Sequence, residues 1–154
     1  MSTPAICHLF ELPIHRARIA DWIYEAFWAG RPGYSPAHFE ALLADARDPD
    51  RIPLSLLATT EGRPVGTVNL IVCDDDSRPQ LTPWLAALYV APELRGQGIG
   101  TALVQRLFGE AARIGCRELY LGTEIPAFYK ALGAEIHEGV RPGFWIMRRA
   151  LEAG

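Results

Sequence analysis

The sequence predicts one α+β domain, a mixed α/β sandwich in which two helices precede a run of strands and a strand-helix-strand crossover closes the chain. Three observations carry this. The first third sets apolar residues at helical spacing, residues 54 to 90 switch to strand texture, and an almost wholly apolar strand runs through glycines into a long amphipathic stretch. The length of 154 residues suits one compact core, so the whole of 1–154 is read as a single domain.

Element by element, Ile6 to Leu12 alternates enough for a first strand. Pro13 opens an amphipathic helix with Ile19, Ile23, Ala26 and Phe27 on one stripe, closed by Gly30. Arg31-Pro32-Gly33 is a turn, and Ser35-Pro36 reads as an N-cap with proline at the first helical position. That second helix carries Phe39, Leu42 and Leu43 and stops before Pro49. Strands at Leu54 to Thr60 and Val65 to Cys73 flank the turn Glu61-Gly62-Arg63-Pro64. After the polar loop from Asp74 to Pro79, the strand Trp84 to Val90 is apolar throughout, which predicts a central place with both faces covered. Gly98 to Ile114 is a long helix with Leu103, Leu107, Ala111 and Ile114 inward, ended by Gly115. A strand at Glu118 to Thr123, a short helix at Ala127 to Leu132 with Gly133, and two strands around Pro142-Gly143 complete the chain.

Composition removes several classes. With 49% apolar and 21% charged residues the chain is an ordinary globular one rather than a disordered one. A net charge of −3 offers no basic footprint for nucleic acid. No apolar run nears the roughly 20 residues of a membrane span, and Met1-Ser2-Thr3-Pro4-Ala5 lacks a secretory pattern, so a cytoplasmic protein without a membrane partner is expected. Cys7, Cys73 and Cys116 form no metal-like or CxxC spacing and are expected as reduced, mostly buried thiols; no metal is expected.

The informative segment is Leu88-Tyr89-Val90-Ala91-Pro92-Glu93-Leu94-Arg95-Gly96-Gln97-Gly98-Ile99-Gly100-Thr101. A strand ends, Pro92 keeps the preceding residue extended, and three glycines lead into the long helix. Its unpaired first-turn amides and positive dipole end make an anion site of the kind that holds a pyrophosphate. A Walker loop is excluded, since no Lys follows Gly100. A dinucleotide fingerprint fits poorly, because the glycines are spaced GxGxG and no acidic residue ends the next strand.

With these residues the sequence resembles the GNAT family of N-acetyltransferases. The signature R/Q-x-x-G-x-G/A stands here as Arg95-Gly96-Gln97-Gly98-Ile99-Gly100, behind the strand Leu85-Ala86-Ala87-Leu88-Tyr89-Val90 and ahead of Ala127-Phe128-Tyr129-Lys130-Ala131-Leu132-Gly133. The resemblance covers roughly residues 54 to 138. It implies a central mixed sheet of about six to seven strands, with one splayed strand pair and about four helices. It implies acetyl-CoA as acyl donor, held by Leu88, Tyr89 and Val90 along the strand and by Arg95, Gly96, Gln97, Gly98, Ile99, Gly100 and Thr101 at the turn. It further implies direct attack by a primary amine through a tetrahedral intermediate, with Tyr129 as general acid toward the departing thiolate. The acceptor is then an amine of a small molecule or peptide, and the protein a monomer or homodimer. A non-catalytic acyl-CoA-binding regulatory module is the alternative.

Two positions depart from the family pattern. Gly122 stands where the family usually has an Asn seven residues before the tyrosine, and Ala134 follows Gly133 where Phe is common. No general base is evident: Glu124 and Asp74-Asp75-Asp76 read as solvated carboxylates, His8, His15, His38 and His137 pair with no nucleophile, and Cys116 lacks an activating base. The aromatics Trp22, Tyr24, Phe27, Trp28 and Tyr34 early, then Phe144 and Trp145 late, are the acceptor-side candidates, with Tyr34 foremost. Trp84-Leu85-Ala86 and Phe128-Tyr129 are similar in texture to members acting on small amines, aminoglycosides among them.

Overall fold

A computed structural model describes residues 3–152. β1 (Ala5–His8) is shorter than expected, because Glu11 accepts the His8 amide at 2.9 Å and turns Leu9–Glu11 into a 3-10 segment. After a second 3-10 turn at Pro13–His15, α1 (Arg16–Ile23) widens into a π-helical segment at Tyr24–Trp28. Ile19 and Ile23 are buried as their spacing requires, whereas Ala26 and Phe27 are exposed. The wider turn rotates each residue by less than an α-helix does and carries these two off the core face.

α2 (Pro36–Ala44) starts as predicted, with Ser35 Oγ accepting the His38 amide at 3.2 Å. Phe39 and Leu43 turn inward, but Leu42 is half exposed. β2 (Leu54–Thr60) and β3 (Arg63–Ile71) form a hairpin. Glu61 and Gly62 both have positive φ, so the turn needs only two residues and Thr60 pairs with Arg63 rather than leaving the strand to begin at Val65. β4 (Trp84–Val90), α3 (Ile99–Arg113) and β5 (Glu118–Thr123) make the crossover. α4 (Pro126–Lys130) and the hairpin of β6 (Glu135–Arg141) and β7 (Phe144–Ala150) follow.

The seven strands form one mixed sheet in the order β1-β2-β3-β4-β5-β7-β6. Every neighbouring pair is antiparallel except β4 with β5, which touch in parallel only at Trp84 opposite Tyr120. α3 covers one face with Leu103, Leu107 and Ala111, all fully buried against Leu56, Val68 and Leu121. α1 and α2 cover the other through Ile19, Ile23, Phe39 and Leu43 over Leu57. A smaller cluster of Leu81, Trp84, Tyr120 and Ile146 sits where β4 and β5 meet. No helix among the described residues is long and apolar enough to cross a membrane.

β4 is central in the sheet, yet its residues from Ala86 onward are only half-buried. The expectation of two covered faces fails because its β5 neighbour has already turned away. The cysteines are free but half-buried rather than buried, and burial pushes the Cys7 and Cys116 thiols upward, away from reactivity. In the β3–β4 loop, Asp75 takes a hydrogen bond from the Ser77 amide at 3.0 Å and pairs with Arg78 at 2.7 Å. Arg78 also reaches Glu138 on β6, so this acidic run fastens the loop to the sheet. Asp74 remains exposed, but enclosing atoms and the charge of Asp75 push its carboxyl up to about 6.

Two consequences can be measured. Gly66 on β3 lies under α3, where an added Cβ would meet Leu103 Cδ1 at 2.9 Å and the Tyr89 carbonyl at 3.0 Å. Gly66→Ala is expected to cost about 1–3 kcal/mol in denaturant unfolding, because one neighbour is unyielding backbone. Asp74 has a raised folded pKa, so its stability contribution is complete below about pH 4 and lost as pH rises through about 6. Asp74→Asn should therefore melt higher than the unaltered chain at pH 8, with no such gain at pH 4.

Candidate active site

The site is built where β4 leaves β5. Gly66 pairs with Val90 and Thr67 with Tyr89, but Asn69 pairs with Ala86, so Ala87 and Leu88 together oppose the single residue Val68. This is a β-bulge, and Ala87 adopts a left-handed φ of 53°. That conformation costs a residue with a Cβ about 1–3 kcal/mol. The bulge also resets the alternation. Leu85, Leu88 and Val90 pack toward the α3 core, while Ala87 packs among the residues of α1 and α2. An extra residue takes one peptide group of β4 out of its ladder with β3.

Beyond Val90 the chain makes a 3-10 turn at Pro92–Leu94 and enters α3 through Gly96 and Gly98, with φ of 80° and 87°. Both lie in the left-handed region open to glycine at no steric cost, and a Cβ at either would meet nothing within 4 Å. Among the described residues, no backbone hydrogen bond outside regular elements uses the amides of Gly96, Gln97, Gly98, Ile99, Gly100 or Thr101; the first α3 bond from this entrance is Ala102 N–H to the Gly98 carbonyl, at 3.0 Å. Six consecutive donors at a helix entrance, with the positive end of a fifteen-residue helix behind them, fit a doubly charged diphosphate.

Ile99 anchors the turn by burying its side chain in the α3 core, leaving its amide outward. Arg95 is placed differently from its neighbours. Its Nε donates to the Val90 carbonyl at 2.9 Å, and its guanidinium lies 5.3 Å from the centre of the Tyr89 ring. The charge therefore borders the strand rather than the helix entrance. Tyr89 in turn packs at 5.1 Å against Trp22 of α1, joining the early aromatics to this strand. A hollow of about 920 Å³ opens beside the turn, lined by Thr3, Pro4, Glu61, Leu94, Gln97 and Gly98. A second, of about 520 Å³, lies by Phe108 and Arg149, away from this region.

Tyr129 lies on the α3 side of the sheet. Its side chain is packed in the main core with only 6% exposed, edge-on to Phe128 at 4.9 Å. Burial pushes the phenol up to about 12, so it is fully protonated at neutral pH. Among the described residues the one fully enclosed side-chain polar atom without a partner is Ser55 Oγ. The Tyr129 hydroxyl, which also has no protein partner there, consequently reaches accessible space. Phe128 leans toward the α3 entrance, where a Cβ at Gly100 would meet Phe128 Cζ at 3.8 Å and Val90 Cγ2 at 3.7 Å. These contacts bring the turn, the strand end and α4 to one place.

On the opposite side, a side chain at Gly122, where the family pattern has Asn, would require the Phe144 ring to shift. A Cβ there would meet Phe144 Cζ at 2.6 Å. The Phe144 ring fills that space, with the Arg141 guanidinium 4.3 Å from its centre. Trp28, Tyr34 and Phe39 pack together at 4.5–6.0 Å, and Tyr34 leaves 37% of its surface exposed. Glu124 and Asp76 are exposed, His8 is spent on Glu110 at 2.8 Å, and Cys116 has no activating neighbour. The Ala87 bulge escaped the sequence reading, and its one signal was the pair of small residues Ala86-Ala87 in a strand of bulky ones.

Residues 18–134 match the family described as the acetyltransferase (GNAT) family. An uncharacterized N-acetyltransferase of Methanocaldococcus jannaschii is 33% identical over 97 residues, a stretch that makes up 57% of this chain but only 42% of that protein. Among solved structures, a phosphinothricin acetyltransferase of Sinorhizobium meliloti in complex with acetyl-CoA superposes with a TM-score of 0.77 at 20% identity, over 99% of this chain and 91% of that one. An aminoglycoside 6'-N-acetyltransferase complexed with coenzyme A gives 0.73 at 18% identity, over 95% and 96%. These likenesses share the seven-stranded mixed sheet and its four helices. With its family match spanning the glycine entrance, the parted strands and Tyr129, the chain belongs to the GNAT acetyltransferase family.

Proposed function

We propose that this acetyltransferase moves an acetyl group from acetyl-CoA to a primary amine of a small molecule or peptide, by direct attack through a tetrahedral intermediate. The observation that carries the reading is the run of six unspent amides, Gly96 to Thr101, continuous with a strand that has parted from its neighbour. In this reading the amides grip the diphosphate, and the open edge of β4 at Leu88, Tyr89 and Val90 pairs with the amide-bearing arm. A peptide N–H freed by the Ala87 bulge meets the carbonyl oxygen as it gains charge. Solved relatives carrying coenzyme A or acetyl-CoA support the choice of donor.

Tyr129 serves the departing sulfur. A phenol near 12 giving its proton to an ordinary thiolate of about 8.5 would run roughly 5 kcal/mol uphill. The same enclosure that raises the phenol raises a thiol beside it, which narrows that gap. Tyr129 thus acts best as a hydrogen-bond donor that completes its transfer as the C–S bond breaks. The amine must arrive neutral, although a free alkylamine has a pKa of about 10.4, and water is the route for its proton. A regulatory acyl-CoA-binding role is the second reading, favoured by the Phe144 ring crowding the face across from Tyr129.

Thiol release from acetyl-CoA against a panel of amines tests the reading. Tyr129→Phe should lower kcat about 100-fold while leaving coenzyme A affinity within twofold. With a phenol protonated up to about 12, the unaltered enzyme should show a rate rising from pH 6 to 10 as the amine deprotonates, with no alkaline fall from this group. Gly98→Ala should lose about 1–2 kcal/mol of stability through its left-handed φ, and its thermal midpoint should respond more weakly to coenzyme A. Binding of coenzyme A without thiol release for any amine would favour the regulatory role.

A further inference from the structure

Asn69 is a polar residue within an apolar strand run, between Val68 and Leu70, which both face the α3 core. Its own side chain therefore faces the α1 side of the sheet, and only 6% of the residue is exposed. A buried amide costs free energy unless it is hydrogen-bonded. Here it has one long contact, Nδ2 to the Ala86 carbonyl at 3.5 Å. A carbonyl can only accept, so the Nδ2 end must face Ala86 and Oδ1 must point away from it. Oδ1 has no partner among the described residues and is not among the enclosed atoms, of which Ser55 Oγ is the sole case. A nine-tenths buried amide thus presents one acceptor oxygen to accessible space, one residue from the bulge.

The place of that oxygen matters. Ala86 directly precedes Ala87, whose left-handed φ creates the freed peptide group. Tyr129 packs on the α3 face, while Asn69 points to the opposite face from β3, the strand that pairs with β4 on the side away from β5. In direct displacement the nucleophile approaches one side of the carbonyl carbon and the thiolate departs from another.

We propose that Asn69 orients the attacking amine, its Oδ1 accepting an N–H while its Nδ2 steadies the Ala86 carbonyl beside the bulge. This rests on the transfer reading above. The amine nitrogen forms the C–N bond, the C–S bond breaks, the sulfur takes its proton from Tyr129, and the surplus amine proton leaves through water. Asn69 gains and loses no proton; its amide oxygen fixes the lone pair of the amine toward the carbonyl. The acceptor class this favours is an unhindered amine that keeps an N–H for Asn69 while its lone pair points at the carbon, which a primary or a secondary amine does and a tertiary amine cannot.

The full chain, Asn69→Ala and Asn69→Asp are compared in thermal midpoint, coenzyme A affinity by calorimetry, and thiol release with primary, secondary and tertiary amines. Asn69→Ala should lower kcat/KM for primary amines about tenfold, mostly through KM, with coenzyme A affinity within twofold. Asn69→Asp keeps an acceptor oxygen in place and should bring KM back to within threefold of the unaltered enzyme, although it loses the Nδ2 donor to the Ala86 carbonyl. If Asn69→Ala fails to fold, Asn69→Asp and Asn69→Ser carry the same comparison. An unaltered enzyme that acetylates primary amines, with Asn69 variants undiminished or losing coenzyme A affinity by the same factor, overturns this inference alone. An unaltered chain that binds coenzyme A and acetylates no amine overturns the transfer reading and this inference with it.

Discussion

The parallel contact between β4 and β5 ends after Trp84 and Tyr120, and most of what is distinctive about the molecule depends on that early parting. A central strand that keeps one unpaired edge would ordinarily be a liability, since its peptide groups lose their partners. Here the loss is confined. The smaller cluster of Leu81, Trp84, Tyr120 and Ile146 clamps the two strands at their joined end, while α3 and the α1–α2 pair hold the sheet from both faces. The gap is thereby wide at one end and fixed at the other. Strain at Ala87 persists because packing on both sides over-determines it.

This geometry separates the roles of the two faces. The α3 face supplies the glycine entrance with its free amides and the buried phenol of Tyr129. The other supplies Asn69, Trp22, Gly122 and the Phe144 ring. A thioester laid in the gap from the first face would present its carbonyl carbon to an amine from the second. In the proposed transfer the chemistry asks little covalent work of the protein; orientation, a freed amide for the oxyanion and a protonated phenol for the sulfur are what it would provide.

Departures from the family pattern gain a physical reason in this light. At Gly122 the Phe144 ring sits where a side chain would go. Arg95, the first residue of the signature, is drawn back by the Val90 carbonyl and the Tyr89 ring. In the proposed reading, anion binding at the entrance would rely on peptide dipoles more than on the Arg95 charge.

Elements whose signals are local were legible in the sequence. β2, β4 and β5 were read to the residue, Ser35 capped its helix through an oxygen three residues from the amide it satisfies, and the glycine entrance declared its backbone by residue type. Each depends on neighbours a few positions away, and composition encodes such neighbours directly. The π-turn that exposed Phe27, the half-covered state of β4, the bulge at Ala87 and the ring over Gly122 were not legible. They arise between segments distant in sequence, where packing of helices on a twisted sheet decides register and space. Sequence alone determined that there would be a glycine turn between a strand and a helix. Only tertiary structure decided which peptide groups stay free around it, because a hydrogen-bond partner is withheld by the path of another strand and leaves no mark on the residue that lacks it.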